Sequence, residues 1–282
     1  MARVAQLQGR QERNFTGLNT KPKGILTFVS AVIVFLAKIL GVILLWQGFT
    51  LIVHSIFIPT PIQVWTTFWR LTLKGDVQGY TLPFEAWTSL MRVLRGFALA
   101  IIVGIPVGIL FGLSNRTYQW TKFLVEPIRF IPPLAWVPLV IIFLHGESRY
   151  TFIIWIGAVF PIIYTTMSGV KVLDNNLWEV GRVLGASKWQ LVTKIAIPAA
   201  LPHMFSGARL GLGIGWACIV AAEMVGGGNG GLGSLILNYG QLLQIDAVVA
   251  SMIVIGMLGY ALNEIFVIAE KKLFPWQKDV KF

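Results

Sequence analysis

VLDNNLWEVGRVLGASKWQLVTKIAIPAALP, residues 172–202, is the stretch on which the reading of this chain turns. It lies between two apolar runs, Tyr150 to Val170 and Leu201 to Val225, and its pattern is not that of a linker. Asp174 or Asn175 can cap a helix through Trp178 and Leu184, because a short polar side chain satisfies the first free backbone N–H groups of a helix. Gly185 can end that helix in a left-handed turn, and Ser187 can cap a second one through Lys194. Pro198, which has no N–H to donate, is expected to break it. A helix-turn-helix projecting from an otherwise apolar protein needs a reason to exist, and a docking surface for another subunit is the natural one.

The surroundings are those of a membrane protein. Of the 282 residues, 56% are hydrophobic and 12% charged, and the mean hydropathy is +0.73. Soluble domains carry about 25% charged residues, so this chain could not cover a globule of its size with polar surface. A hydrocarbon core about 30 Å thick takes roughly 20 helical residues to cross, which leaves room for about five to seven spans. The excess of 23 Lys and Arg over 12 Asp and Glu gives a net charge of +11. Those cations flank apolar segments instead of clustering, so the pattern is that of the positive-inside rule and excludes a nucleic-acid partner. The single cysteine, Cys218, sits in an apolar run and rules out a disulfide framework.

Six spans are predicted: Ile25 to Ile58, Leu94 to Leu113, Pro133 to Leu144, Tyr150 to Val170, Leu201 to Val225 and Ala247 to Ala269. The third is short, and its helix is expected to begin near residue 120 with a kink at Pro127 or at Pro132 and Pro133. Residues 1–24 form a basic tail, 25–270 the transmembrane domain with its long loop at 172–200, and 271–282 a second tail. Placing both termini in the cytoplasm puts most basic residues inside; Arg70, Lys74 and Arg92, in the outer segment 59–93, are the exceptions. Ile62 to Leu73 resembles a short amphipathic helix on the outer face.

Within the spans, Gly104, Gly108 and Gly112, and likewise Gly207, Gly211 and Gly215, recur at intervals of four and so share one helix face each. Pro132, Pro133 and Trp136 can open backbone groups toward a path, as broken helices do. Arg209 and Glu223 lie fourteen positions apart on one span, about 21 Å along an ideal helix, so they do not pair within it. Arg209 is read either as a path residue or as a snorkelling one, and Glu223 as a cross-helix contact or gate. His54, His145 and His203 lack metal spacing. Gly226 to Gly233 reads GGGNGGLG, which follows a membrane helix instead of a strand, and a flexible outer loop is expected there.

The central loop carries a resemblance. Glu179-Val180-Gly181, Gly185 and Ile195-Ala196-Ile197-Pro198 match in spacing the EAA loop of ABC importer permeases, with Val180 and Gly181 replacing two alanines and Ile197 a leucine. Arg129 to Pro138, Gly207 to Gly213, Ala221-Ala222-Glu223 and Leu273 to Trp276 resemble permeases of the taurine, alkanesulfonate and nitrate importers, over residues from about 59 to 277. Gly231 to Asn238 and the Pro-Trp tail look more like the sulfonate and taurine members.

The resemblance implies an all-α type I importer bundle in a bacterial cytoplasmic membrane. It implies a second permease copy, two ATP-binding cassette subunits holding ATP and magnesium, and an outer solute-binding protein that delivers a small anion. Glu179, Gly185, Ala186, Ser187 and Pro198 would then form the coupling loop, and Pro132, Pro133, Trp136, Arg209 and Glu223 the candidate path. No Gly-Lys-Ser/Thr phosphate loop and no catalytic constellation is present, so no cofactor and no ATP hydrolysis are expected of this chain. Nitrate or bicarbonate is the alternative cargo. An ion-coupled carrier is the alternative of another class, though it should show an internal repeat.

Overall fold

The structure is a computed structural model that describes residues 25–53, 55, 57–226, 228 and 230–275. The N-terminal tail, His54 and the end of the chain from Trp276 onward lie outside the described residues. Regular structure among the described residues is helical throughout: α1 (Ile25–Val53), α2 (Pro61–Leu73), α3 (Leu82–Leu113), α4 (Asn115–Phe130), a 3-10 turn (Pro133–Trp136), α5 (Val137–Phe143), α6 (Ser148–Lys171), α7 (Asn175–Val183), α8 (Lys188–Leu191), a π turn (Val192–Ala196), α9 (Ile197–Gly226), α10 (Leu232–Gln241) and α11 (Ile245–Leu273). Five helical runs are long and apolar enough to cross a membrane, and α4 with α5 makes a sixth if that bent pair counts as one span.

Residues 1–61 and 62–282 form separate units. In the first, α1 is apolar around its whole circumference and most of its described side chains are exposed, the surface that lipid requires.

The second unit is built around α6. Ile154, Ala158, Ile162 and Thr166 have no exposed surface, because α6 is held between two helices that carry glycine where they meet it. A Cβ on Gly96, Gly104, Gly108 or Gly112 of α3 would strike Ile154, Ile162, Thr166 or Val170 of α6, respectively. Rising positions meet rising positions, so α3 and α6 run parallel. On the other side Gly207, Gly211 and Gly215 of α9 meet Thr165, Ala158 and Ile154 in falling order, so α9 is antiparallel to both. Both glycine stripes read from the sequence are thus close-packing seams, where small residues let backbones approach and dispersion replaces a hydrophobic force that lipid does not supply.

Two expectations need correction and one is resolved between its alternatives. The second span begins at Leu82, not Leu94, because Glu85, Ser89 and Arg92 lie on a buried face of α3 and make its first turns look like loop. Of the two kink positions expected in the third span, the helix runs unbroken through Pro127 and the bend, 88° between α4 and α5, falls at Pro132 and Pro133, which interrupt the ladder. Pro198 does not break the second loop helix. The π turn before it lets the Ile197 N–H donate to the Val192 carbonyl, which shifts the register one residue ahead of the missing donor, and α9 continues to Gly226.

The seam predicts unequal tolerance of side chains. A Cβ at Gly108 would come within 2.6 Å of Thr166 Cβ, whereas Gly213 on the same bundle has nothing within 4 Å. Gly108→Leu should therefore cost about 1–3 kcal/mol by overpacking, and Gly213→Ala should stay within about 0.5 kcal/mol of wild type, both read by thermal unfolding in detergent.

Candidate functional site

At one end of the bundle, residues 172–198 fold as two short helices. The Asp174 carboxylate accepts from Asn176 N–H at 3.0 Å and starts α7. Gly185, at φ +78°, makes the left-handed turn that ends it. Ser187 then opens α8 with a reciprocal cap: its Oγ accepts from Gln190 N–H at 3.3 Å, and its own N–H donates to Gln190 Oε1 at 2.8 Å. Gly181, where the family pattern has alanine, faces Leu191 and Ile195, so its missing side chain is what lets α7 lie against the following helix.

The turn presents apolar surface outward. Val183, Leu184 and Trp189 are 87%, 80% and 75% exposed, and Val180 is exposed beside them. Apolar groups clustered on the tip of a projecting element mark an interaction surface. Gly185 and Ser187 are exposed on this tip, Ala186 is half-buried, and a Cβ on Gly185 would meet nothing within 4 Å. Glu179 is exposed and, with Lys171, Trp178 and Arg182, lines a cavity of about 730 Å³ between α7 and the ends of α3 and α6. Pro198 is exposed at the start of α9.

The opposite end is held by charge. Arg92 of α3, 3% exposed, donates from Nη1 to Glu223 of α9 at 2.9 Å and to the Gly230 carbonyl at 2.8 Å, and from Nη2 to Glu147 at 2.8 Å. Its face lies 4.1 Å from the centre of the Tyr150 ring. Ser89 donates to Glu223 and accepts from Leu232 N–H at 2.9 Å. Gly233 N–H donates to Glu223 at 3.0 Å, and Gly231 N–H donates to Glu85. Gly231, at φ +116°, has no space for a side chain because the Glu223 carboxyl occupies it. The expected flexible loop is therefore, at residues 230–233, a fixed segment: its backbone donors and acceptors bond to Arg92, Glu85, Ser89 and Glu223, and so satisfy buried charges that would otherwise be unpaired. Glu147 lies just before α6. The Arg92 guanidinium, helped by Arg95 and Arg149, holds its carboxyl below the usual range against the opposing effect of burial.

The candidate path residues do not converge. Pro132, Pro133 and Trp136 meet at the helix break, and Pro133 lines a cavity of about 330 Å³ between α4, α6 and α9. Arg209 is paired with Glu270 of α11 at 3.2 Å. Glu223 belongs to the charge cluster, paired with Arg92 and buried. Arg92, Ser89, Glu85 and Glu147 were not anticipated. Their signal was available: positions 85, 89 and 92 fall on one helix face, and Arg92 was a cation on the wrong side for the positive-inside rule.

Residues 100–278 match the family of the binding-protein-dependent transport system inner membrane component. Among relatives, a Methanocaldococcus jannaschii protein, MJ0413, that carries the name of an ABC transporter permease is 44% identical over 68% of this chain and 73% of its own length. The bicarbonate transport system permease protein CmpB of Synechococcus elongatus is 35% identical over 81% of this chain and 84% of its own. The taurine transport system permease protein TauC of Escherichia coli is 33% identical over 84% and 86%. In fold, the chain superposes on an inward-facing structure of the MetNI methionine ABC transporter with a TM-score of 0.61, at 20% identity, over 73% of this chain and 97% of that one.

The charge cluster yields two predictions. Arg92→Met should destabilise the protein by about 3–5 kcal/mol, the cost of a buried carboxylate left without its cation, measured by unfolding in detergent. Because the Glu147 carboxyl is held low in the folded state, its contribution is present above the ordinary carboxylate range and lost as pH falls through the lowered value. Wild type should thus lose thermal stability on acidification faster than Glu147→Gln does.

Proposed function

Because this chain belongs to the family of binding-protein-dependent transport system inner membrane components and is an ABC importer permease, we propose that it moves a small anion inward as one of two copies seated on a pair of ATPase subunits. The observation that carries this reading is the α7–α8 tip. It is short, capped at both helix starts, turned by a glycine, and covered with exposed apolar side chains. A mechanical coupling element needs those properties: rigidity, so that force is transmitted, and an apolar contact surface to receive it.

In this proposal α7 and α8 lie in the cytoplasm and dock in a groove of the ATPase. Gly185 sits at the point of contact with Ala186 and Ser187 beside it. Glu179 makes a polar contact that holds the loop or its partner, and the π turn ahead of Pro198 joins the tip to α9 without an intervening joint. ATP and magnesium bind the ATPase subunits, and this chain holds no cofactor. The fixed end with Arg92 and Glu223 faces the outside, where a solute-binding protein releases its cargo. Both termini are then cytoplasmic.

The cargo is a small oxyanion. The resemblance at Gly231 to Asn238 favours taurine or another aliphatic sulfonate, while the relation to CmpB makes bicarbonate, and with it nitrate, the second reading. An ion-coupled carrier would leave the EAA spacing and the capped tip without a purpose.

The test is ATP hydrolysis by the permease co-purified with its ATPase, with and without binding protein loaded with taurine or nitrate. One loaded binding protein should stimulate hydrolysis severalfold, and Gly185→Arg should abolish that stimulation while the variant still inserts in the membrane. Full stimulation in Gly185→Arg would refute the coupling role of the tip.

A further inference from the structure

The cavity at the helix break is lined by a cation, Arg129. Arg129 is in the last turn of α4, and its guanidinium lies 4.2 Å from the centre of the Tyr164 ring and 4.8 Å from that of Phe130. Four ion pairs are formed among the described residues, and none of them involves Arg129. Its neighbour Glu126 instead accepts a hydrogen bond from the Tyr118 hydroxyl at 2.9 Å.

The depth of this cation matters. Tyr164 is on α6, and at the ideal rise it lies about 24 Å from Ser148 and about 10 Å from Lys171. The other walls of the cavity include Gly157 and Phe160 of α6 and Ile214 of α9, all near the middle of their helices. With α6 crossing a hydrocarbon layer about 30 Å thick, Tyr164 and the guanidinium beside it fall inside that layer, nearer the Lys171 end. Arginine at that depth faces a partner or a watered cavity. Snorkelling would carry the head group away from Tyr164, and the stack opposes it.

Stacking also determines what remains available. Both rings lie at cation–π distance from the guanidinium, and none of its five N–H donors forms a hydrogen bond among the described residues. Planar forks of this kind grip two oxygens of a carboxylate, sulfonate or similar oxyanion at once. The cavity of about 330 Å³ has room for such a group, its remaining walls are mainly apolar, and it opens where Arg129, Phe130 and Ile131 are exposed on the protomer. The 88° bend that follows Phe130 brings the end of α4 to this point.

We propose that Arg129 is a residue of the path that contacts the anion within the membrane, with Tyr164 and Phe130 fixing its guanidinium so that its N–H donors face the cargo. This rests on the reading that the cargo is a small oxyanion. It also assigns the Pro132-Pro133 break a purpose, the placement of a cation at a depth that a straight span would make costly.

The experiment uses the assembled complex of permease, ATPase and binding protein in proteoliposomes, with labelled taurine, nitrate and bicarbonate as probes. Uptake is expressed per ATP hydrolysed. Arg129→Gln should lower that ratio by about tenfold or more for the anion that wild type carries, while Arg129→Lys, which keeps the charge but not the fork, should retain a substantial part. Arg129→Met serves as a second neutral variant should glutamine prevent assembly. A ratio within about twofold of wild type in either neutral variant overturns the proposal. A wild-type complex that moves none of the three anions overturns the cargo reading, and the proposal with it.

Discussion

Helices in lipid gain little by hiding apolar surface from one another, so a bundle holds only where backbones come close enough for dispersion and shape to act. In this chain that constraint falls on α6. Glycines of α3 line one side of it and Gly207, Gly211 and Gly215 of α9 the other, each placed where a side chain would crowd an α6 residue. The direction of all three helices follows from that contact order. So does the position of everything attached to them: the α7–α8 tip joins α6 to α9, and the charge cluster joins α3 to the far end of α9.

The two ends of this three-helix core differ in their physics. One is closed by Arg92 and the carboxylates around it, with the backbone of the glycine-rich segment supplying the remaining hydrogen bonds. Such an arrangement is costly to disturb, since removing one partner leaves another buried charge unpaired. The other end projects apolar side chains and is held mainly by helix caps and by the packing of Gly181.

Much of this was legible in the sequence, for identifiable reasons. Caps are local chemistry, so Asp174, Gly185 and Ser187 could be read from their own neighbours, and small residues four apart identify a seam before its partner is known. Features that depend on distant residues could not be read that way. The first turns of α3 look polar because Glu85, Ser89 and Arg92 meet partners just before α6, on α9 and in the segment after it. The glycine run looks flexible for the same reason, since the carboxylates that fix it are far away in sequence. Pro198 misled differently: a proline breaks an α-helix only if the register is kept, and the π turn changes the register.

The central claim is that transport through this chain is driven by ATP acting on the α7–α8 tip. The most direct test is uptake of labelled taurine, nitrate or bicarbonate by proteoliposomes holding the assembled complex, with all ion gradients collapsed by ionophores. The account predicts uptake that requires both ATP inside the vesicle-facing ATPase compartment and loaded binding protein, and that persists without any gradient. Uptake that follows an imposed ion gradient and proceeds without ATP would contradict it.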